Sequence, residues 1–353
     1  MKGVILHGGY GKRLRPLTLI YPKQLLPIVN KPASQYVLED LRESGIDNIA
    51  VVLGNIHPEK VVNYYRDGKK FGVKITYIHQ GEPKGIAHAV GLCKNFVGDD
   101  PFVVYLGDNI MEEGIRSFVE EFKKSNYDAM MLLYEVDNPS EFGIIELDQD
   151  GRIKRLVEKP KHPPSNLAVT GIYFFRPVVF DVIKSLKPSG RGELEITDAL
   201  QLLIDYGYHV GYRFINGWWK DTGIPEDFLE ANKLVLEKYQ SIYGKSKKKM
   251  MLNDNVLFLG RFMLEGATVY GPSILGRNVF MGKNVKVGPY VSIGNNVYIE
   301  KGEIENSIIM KNCYISTNGK IKDSIVGAGS KIVSSENRTQ KFVITDYSRV
   351  EIT

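Results

Sequence analysis

The sequence predicts an α/β fold followed by a parallel β-helix. Up to about residue 240, short apolar segments alternate with helical ones, which is typical of an open, doubly wound, largely parallel sheet. After residue 250 the pattern changes to a six-residue period in glycine and aliphatic residues, which is typical of a β-helix solenoid. The 353 residues are also long for a single core, which favours two domains.

The chain opens on an apolar segment, Gly3–Leu6, that runs into a glycine-rich loop. Glycine lets the backbone turn tightly and approach a ligand, and exposed N–H groups in such a loop favour anions. Lys12, Arg13 and Arg15 add positive charge, and Lys23 follows closely. The combination predicts a polyphosphate site, whereas the glycines alone would indicate no more than a strand and a turn.

The next elements agree with this fold. Apolar runs at 49–53, 74–78 and 102–106 predict buried strands, and residues 32–44 predict a helix that stops at Gly45. Ligands of such sheets bind at the carboxyl ends of the strands. The glycine loop, Gln80-Gly81 and Gly107-Asp108-Asn109 each follow a predicted strand, so we expect them at one edge of the sheet.

The six-residue period identifies the second domain. Glycines recur at this interval and two aliphatic series repeat in register with them, at Gly276, Gly282, Gly288 and Gly294, at Val279, Val285, Val291 and Val297, and at Leu275, Met281, Val287 and Ile293. The period blurs after Glu300 and returns loosely from Ile304. We therefore predict a first domain over 1–243, a lysine-rich linker over 244–250 and a β-helix over 251–353.

Composition excludes several classes of protein. With 43% hydrophobic and 25% charged residues the chain is not globally disordered. The net charge of +5 comes largely from two short basic segments, whereas a nucleic-acid-binding protein usually has a broader basic face. Cys93 and Cys313 form no disulfide framework or metal motif, and we expect both to be buried side chains in a protein of the reducing cytoplasm. No apolar run is long enough to span a membrane or to act as a signal peptide.

The chain resembles the sugar-1-phosphate nucleotidyltransferases, in particular the long glucose-1-phosphate thymidylyltransferases. The segments that carry the resemblance follow one another in the family's order: Gly8–Leu14, Pro22–Gln24, Gln80–Ala89, Tyr105–Asn109, Glu158–Pro160, Arg191–Asp198 and Gly217–Gly223. The resemblance implies a Rossmann-like, mixed but mostly parallel sheet and a left-handed β-helix. It also implies that dTTP and glucose-1-phosphate react, with Mg²⁺, to give dTDP-glucose and pyrophosphate.

The resemblance assigns roles to residues by position. The catalytic residues are Arg13, Lys23 and Lys159; the nucleotide-binding residues are Leu6, Gly8, Gly9, Gly11, Gln80 and Gly85; the sugar-binding residues are Gly143, Glu158, Lys159 and Gly171; and the metal ligands are Asp108 and Asp221. Mg²⁺ suits a site with two carboxylates because it prefers hard oxygen ligands and keeps phosphates and water. No catalytic role falls to Glu193 or Glu195.

Local alternatives remain for several of these residues. Without the family context, either aspartate is better explained as a helix cap or turn residue. Gln80 suits a pyrimidine edge because an amide both donates and accepts, but it is also common in exposed loops. Glu158 and Lys159 could form a plain surface ion pair. Trp218 and Trp219 are expected to pack beside the metal site.

Two residues depart from the family pattern. Lys12 replaces the usual threonine, and either adds a phosphate contact or points outward. His7 replaces a small residue, and we expect it to pack or hydrogen-bond within the loop, with direct contact to the nucleotide as the alternative.

Rival functions are a transferase that uses UTP or another nucleotide or accepts glucosamine-1-phosphate, and a catalytically silent regulatory or scaffold subunit. An acetyltransferase activity of the β-helix is disfavoured because the last histidine of the chain is His209. We expect the β-helix to mediate self-association instead.

Overall fold

The computed structural model describes residues 1–243 and 256–353. These residues form two compact units. The first comprises Met1–Tyr10 and Ser34–Asp221, and the second comprises Gly11–Ala33 and Thr222–Thr353. The predicted lysine-rich linker lies outside the described residues, and the predicted domain boundaries stay predictions.

The first 243 residues contain both strands and helices. The strands are β1 (Lys2–His7), β2 (Pro27–Ile28), β3 (Lys31–Pro32), β4 (Asn48–Gly54), β5 (Lys74–Gly81), β6 (Phe102–Leu106), β7 (Asn109–Met111), β8 (Ala129–Glu135), β9 (Gly143–Leu147), β10 (Ile153–Glu158), β11 (Leu167–Phe175), β12 (Val210–Phe214) and β13 (Trp219–Asp221). The helices are α1 (Ala33–Glu43), α2 (Pro58–Tyr65), α3 (Ile86–Gly91), α4 (Lys94–Val97), α5 (Arg116–Lys124), α6 (Val179–Ser185), α7 (Ile196–Asp205) and α8 (Pro225–Tyr243).

A nine-stranded mixed sheet forms the centre of the first unit. Its main path runs β10-β9-β11-β6-β1-β4-β5, with β8 and β12 joined through β11. The neighbours β6, β1, β4 and β5 are parallel, whereas β11 is antiparallel to each of its partners. The apolar faces of the strands pack against the helices α3, α6 and α7 in one continuous core.

The predicted elements of this unit are confirmed. Helix α1 covers Ala33–Glu43, and the three apolar runs form β4, β5 and β6. Because β6, β1, β4 and β5 are parallel neighbours, their carboxyl ends lie at one edge, with Leu6 beside Leu106 and Gly54 beside Gly81. One expectation was wrong in detail. Strand β5 is not buried on both faces, because it ends the sheet and its side chains are half-exposed.

The second unit contains the β-helix. Its strands are β14 (Val256–Phe258), β15 (Phe262–Leu264), β16 (Thr268–Val269), β17 (Ser273–Leu275), β18 (Val279–Met281), β19 (Lys286–Val287), β20 (Val291–Ile293), β21 (Tyr298–Glu305), β22 (Ile308–Ile309), β23 (Tyr314–Lys322), β24 (Ile325–Val326), β25 (Lys331–Ser334), β26 (Thr339–Gln340), β27 (Val343–Ile344) and β28 (Arg349–Ile352). All pairings between these strands are parallel. The parallel β-helix predicted from the period is confirmed.

The loss of period after Glu300 has a structural cause. Early coils place partners 17 or 18 residues apart, as in the pairings of Val256 with Ser273 and of Ser273 with Val291. Strands β21 and β23 instead run through two faces without a break, with bulges near Lys301, and Tyr298 pairs with Tyr314 only 16 residues later. A bulge changes the number of residues in a coil. The strands of successive coils therefore still pair, while the spacing of equivalent residues along the sequence becomes irregular.

Both cysteines are buried, as predicted. Burial raises the pKa of each thiol to about 12, so the thiolate is a negligible fraction at neutral pH. Among the described residues, no helix is long and apolar enough to span a membrane.

His7 is the last residue of β1, immediately before the glycine loop in the chain, and is almost fully buried. Its ring meets the ring of Tyr65 edge-on, with centroids 6.0 Å apart. Neither ring nitrogen has a hydrogen-bond partner among residues 1–243 and 256–353. Burial lowers the pKa of His7 to about 3, against a smaller opposing effect of Asp108. Of the two expected roles, packing or hydrogen bonding, the described residues show packing.

The low pKa of His7 predicts that acid destabilises the first unit. Between about pH 6.5 and pH 3 the unfolded chain binds a proton at this position that the folded chain does not, so stability falls as the pH falls. We expect His7→Phe to be more stable than the wild type near neutral pH, because two unpaired buried nitrogens are removed. The wild type should lose about 2 kcal/mol more than this variant between pH 6.5 and pH 5, measured by urea unfolding.

The exposed His162 provides the matched control. His162→Phe should leave the pH dependence of unfolding unchanged. Equal pH dependence in the wild type and in His7→Phe would contradict the prediction.

Candidate active site

Two carboxylates meet at the start of the antiparallel pair β7–β13. In this pair Asp221 lies opposite Asn109, and the buried Asp108 immediately precedes Asn109. The Asn109 side-chain nitrogen, Nδ2, is 3.4 Å from Asp108 Oδ1 and 3.4 Å from Asp221 Oδ1. The structure thus brings together the two aspartates that the family motifs assign to metal binding, with an amide donor between them.

The orientation of the Asn109 amide is fixed from its other side. Its oxygen, Oδ1, accepts hydrogen bonds from the Gly171 backbone N–H at 3.2 Å and from Trp219 Nε1 at 3.0 Å. With both donors pointing at the oxygen, the NH₂ group has to face the aspartates. Sequence reasoning gave Asn109 no role, although its place directly after Asp108 was the available signal.

This pair of carboxylates fits Mg²⁺ better than a metal held by protein ligands alone. Within the described residues there is no group of three or more His, Cys, Asp or Glu side chains that could hold a metal ion. Mg²⁺ commonly binds one or two carboxylates and completes its octahedron with phosphate oxygens and water. Asp108 and Asp221 are the residues of the site that could hold it.

A cavity of about 170 Å³ opens beside these carboxylates. All the predicted sugar-binding residues line it, together with Asn109, Asp221 and Thr197; the predicted residues are Gly143, Glu158, Lys159 and Gly171. The walls include residues of β9, β10, β11, β13 and the start of α7. The predicted helix beginning in the segment Gly192–Asp198 is confirmed as α7, and Arg191 lies at the same cavity.

Glu158 is held in place by two donors. Arg191 Nη1 donates to Glu158 Oε1 at 2.9 Å, and Thr197 Oγ1 donates to Glu158 Oε2 at 3.1 Å. Burial and the nearby Glu195 carboxylate raise the pKa of Glu158 above its usual value. Its ion pair is formed with Arg191 across the cavity, in place of the alternative surface pair with Lys159. Such a carboxylate can accept hydrogen bonds from a ligand's hydroxyl groups.

Lys159 follows β10 in an unusual backbone conformation. Its φ of 41° lies in the left-handed region, and its N–H donates to the Phe142 carbonyl at 3.0 Å. A non-glycine residue in this region costs conformational energy and is often found where a side chain is aimed at a site. Lys159 lines the cavity, so it adds a positive charge to the lining.

Trp219 packs in the core beside the carboxylates, as expected. Its side chain is almost fully buried and its ring meets Phe142 edge-on, with centroids 5.7 Å apart. Trp218 is half-buried, and its backbone N–H donates to Glu112 Oε2 at 3.2 Å.

The predicted base-binding residues also lie together. Gln80 Nε2 donates to the Gly85 carbonyl at 3.1 Å, and a Cβ atom at Gly8 would lie 2.9 Å from Gln80 Oε1. Gly85 has a φ of 101°, and a Cβ atom there would collide with the Leu194 carbonyl, so only glycine fits. Leu6 is the penultimate residue of β1, and Gly8 and Gly9 follow the strand directly.

The remaining predicted residues, Gly11, Arg13 and Lys23, belong to the second unit. Gly11, with a φ of 57°, precedes the 3₁₀ turn Lys12–Leu14, and Thr18 Oγ1 donates to its carbonyl at 2.7 Å. A Cβ atom at Gly11 would lie 3.5 Å from the Cβ of Lys23. This segment therefore brings Gly11 and Lys23 together. Lys12 and Arg15 are exposed.

The Arg13 guanidinium lies at the start of α8. A Cβ atom at Gly223 would be only 2.8 Å from Arg13 Nη2. The Gly223 and Ile224 N–H groups donate to Asp227 Oδ2 at 3.2 and 3.0 Å, which caps the helix beside the guanidinium.

Comparison with known proteins supports the resemblance drawn from the motifs. Residues 2–238 match the family model described as nucleotidyl transferase, and residues 269–352 match that of the GMPPB C-terminal domain. The low-salt glycan biosynthesis nucleotidyltransferase Agl11 of Haloferax volcanii is 46% identical, covering 100% of both chains. Glucose-1-phosphate thymidylyltransferase of Streptomyces antibioticus is 40% identical and covers 100% of this chain and 99% of its own.

A solved structure shows the same likeness. A Bacillus anthracis protein assigned as a glucose-1-phosphate thymidylyltransferase, crystallised in complex with sucrose, superposes with a TM-score of 0.63 at 44% identity. The match covers 66% of this chain and 94% of that one. The chain belongs to the nucleotidyl transferase family, and its sequence motifs, its fold and its relatives all point to the sugar-nucleotide branch.

Proposed function

We propose that the protein joins a nucleoside triphosphate, preferably dTTP, to glucose-1-phosphate and releases pyrophosphate. The observation that carries the proposal is the cavity beside Asp108 and Asp221, in which Glu158, Arg191 and Lys159 supply both a hydroxyl acceptor and positive charge. A sugar that bears a phosphate matches this combination of groups. Family membership supplies the reaction class.

The reaction needs no activated nucleophile from the protein. An oxygen of the sugar phosphate attacks the α-phosphorus of the nucleotide, a new P–O bond forms, and the bond to the β-phosphate oxygen breaks to release pyrophosphate. The catalytic requirement is to hold two anions in line and to stabilise the charge on the leaving group. Mg²⁺ bound to Asp108 and Asp221 would supply part of that charge.

The protein's own residues would share the remaining tasks. Lys159 would hold the phosphate of the sugar, and Glu158, oriented by Arg191 and Thr197, would accept hydrogen bonds from its hydroxyl groups. Gln80, held beside Gly85 by the hydrogen bond from its Nε2, would present its amide to a pyrimidine edge. In the second unit, Arg13 and Lys23 would neutralise the triphosphate.

The choice of dTTP rests on the resemblance and on the named Streptomyces relative. Thymine differs from uracil by one methyl group, which a pocket distinguishes by only about 1–3 kcal/mol. A UTP-dependent enzyme, or one that accepts glucosamine-1-phosphate, is therefore the second candidate. A silent scaffold is disfavoured because the charged residues that the family motifs assign to catalysis and metal binding are all present.

The deciding experiment measures pyrophosphate release from glucose-1-phosphate with Mg²⁺ and each of dTTP, UTP, GTP, ATP and CTP. A clear lead for dTTP would support the proposal. Equal or faster turnover with UTP would keep the reaction and change the nucleotide, and silence with all five would favour the scaffold. The predicted cytoplasmic location and self-association through the β-helix stay predictions.

Asp108→Asn should abolish most of the activity, because an amide binds Mg²⁺ far more weakly than a carboxylate. We expect kcat to fall about a hundredfold or more, with partial recovery at high Mg²⁺ concentration. Asp150→Asn, at an exposed turn, is the matched control and should behave as the wild type. Unchanged pyrophosphate release by Asp108→Asn would refute the metal assignment.

Lys159→Ala should raise the KM for glucose-1-phosphate about tenfold or more while the KM for the nucleotide changes little, since a charge-assisted contact to the sugar phosphate is lost. Lys161→Ala, at an exposed position two residues later, is the control. An increase in the nucleotide KM alone would show that Lys159 serves the other substrate. Initial rates with each substrate varied in turn provide the measurement.

A further inference from the structure

The two-residue turn between β2 and β3 is strained. Strands β2 and β3 form a hairpin in which Ile28 pairs with Lys31. The turn residues Val29 and Asn30 have φ angles of 50° and 62°. Turns of this kind normally use Asn-Gly, and a β-branched residue such as valine is costly in the left-handed region. The surrounding structure has to hold such a turn in place.

Two hydrogen bonds within the second unit hold it. The Val29 N–H donates to Asn232 Oδ1 at 3.0 Å, and Asn30 Nδ2 donates to the Ile293 carbonyl at 2.7 Å. Asn232 belongs to α8, and Ile293 belongs to β20 of the β-helix. Val29 is itself buried. The turn is therefore attached both to a helix and to a coil of the β-helix.

Asn232 is the residue at which these parts meet. It is completely buried, and its Oδ1 also accepts a hydrogen bond from Ser292 Oγ at 2.6 Å. Its Nδ2 lies 3.5 Å from the Tyr290 carbonyl, and the neighbouring Lys233 ammonium lies over the Tyr290 ring, 4.9 Å from its centre. One side-chain amide thus joins the turn, α8 and the β20 coil.

The turn lies close in the chain to the cationic residues. Lys23 begins a 3₁₀ turn whose last bond, from the Leu26 N–H to the Lys23 carbonyl, is 3.1 Å long. The hairpin starts at the next residue, and the Ala33 N–H closes it by donating to the Leu26 carbonyl at 3.1 Å. A shift of the hairpin would therefore be transmitted directly to Lys23.

We propose that Asn232 is a positioning residue for nucleotide binding. By fixing the turn Val29-Asn30 to the β-helix, it sets the position of Lys23 and so the affinity for the triphosphate. The β-helix thereby contributes to substrate binding without touching the substrate. This inference rests on the proposed function, because it takes Lys23 to bind the nucleotide.

The test uses Asn232→Ala and Asn30→Gly in the full chain. Asn30→Gly removes only the side-chain bond to Ile293 and keeps a residue suited to a positive φ, so folding is preserved. The nucleotide KM should rise about tenfold in Asn232→Ala and severalfold in Asn30→Gly, while the KM for glucose-1-phosphate changes less than about twofold. Amide hydrogen exchange over residues 22–33 should become faster in both variants.

Ser324→Ala is the matched control. Ser324 is also fully buried in the β-helix, where it bonds to the backbone of Lys322 and Phe342. This variant should leave the nucleotide KM and the exchange of residues 22–33 unchanged.

Equal rises in both KM values, or unchanged exchange over 22–33 in Asn232→Ala, would overturn the inference. Failure of the proposed function is recognised separately, as a wild type that releases no pyrophosphate with any nucleotide. In that case the exchange measurement still decides whether Asn232 holds the segment.

Discussion

The candidate site depends on one side chain, Asn109, because its amide donates to two carboxylates carried by neighbouring segments. Its amide faces Asp108 and Asp221, and Gly171 and Trp219 fix its orientation. A donor between two carboxylates offsets part of the repulsion between them. The strand pair β7–β13, the cavity wall at Gly171 and the packing of Trp219 all depend on this arrangement.

In the cavity next to the carboxylates, acidic side chains are likewise stabilised by a neighbouring donor. Three of its acidic residues, Glu158, Glu193 and Glu195, lie within ion-pair distance of Arg191. A neutral sugar with a charged phosphate needs an acceptor for its hydroxyl groups and a cation for its phosphate. Because the ion pairs already hold these side chains in position, few of them have to move when a ligand binds.

Patterns that are local in the sequence predicted the fold well. Parallel strands β1, β4, β5 and β6 follow from apolar runs, and the β-helix follows from its period. The position of the loops at the carboxyl edge, and hence the grouping of Gln80 with Gly8 and Gly85, could also be expected.

Contacts made by particular atoms could not be predicted from the sequence. The role of Asn109 depends on partners 62 and 110 residues away, and the unpaired nitrogens of His7 depend on how neighbouring helices pack. The blurred period after Glu300 marked where the repeat breaks, but it did not show that bulges near Lys301 are the cause.

The membership of residues 11–33 in the second compact unit has a consequence for protein engineering. A chimaera could join the N-terminal part of one relative, through α8, to the β-helix of another. Such a chimaera would separate the turn Val29-Asn30 from the coil that evolved beside it. Recombination of this fold is better planned around three-dimensional units than around a single point in the chain. The hairpin, α8 and the β20 coil would then be exchanged together, with their shared hydrogen bonds intact.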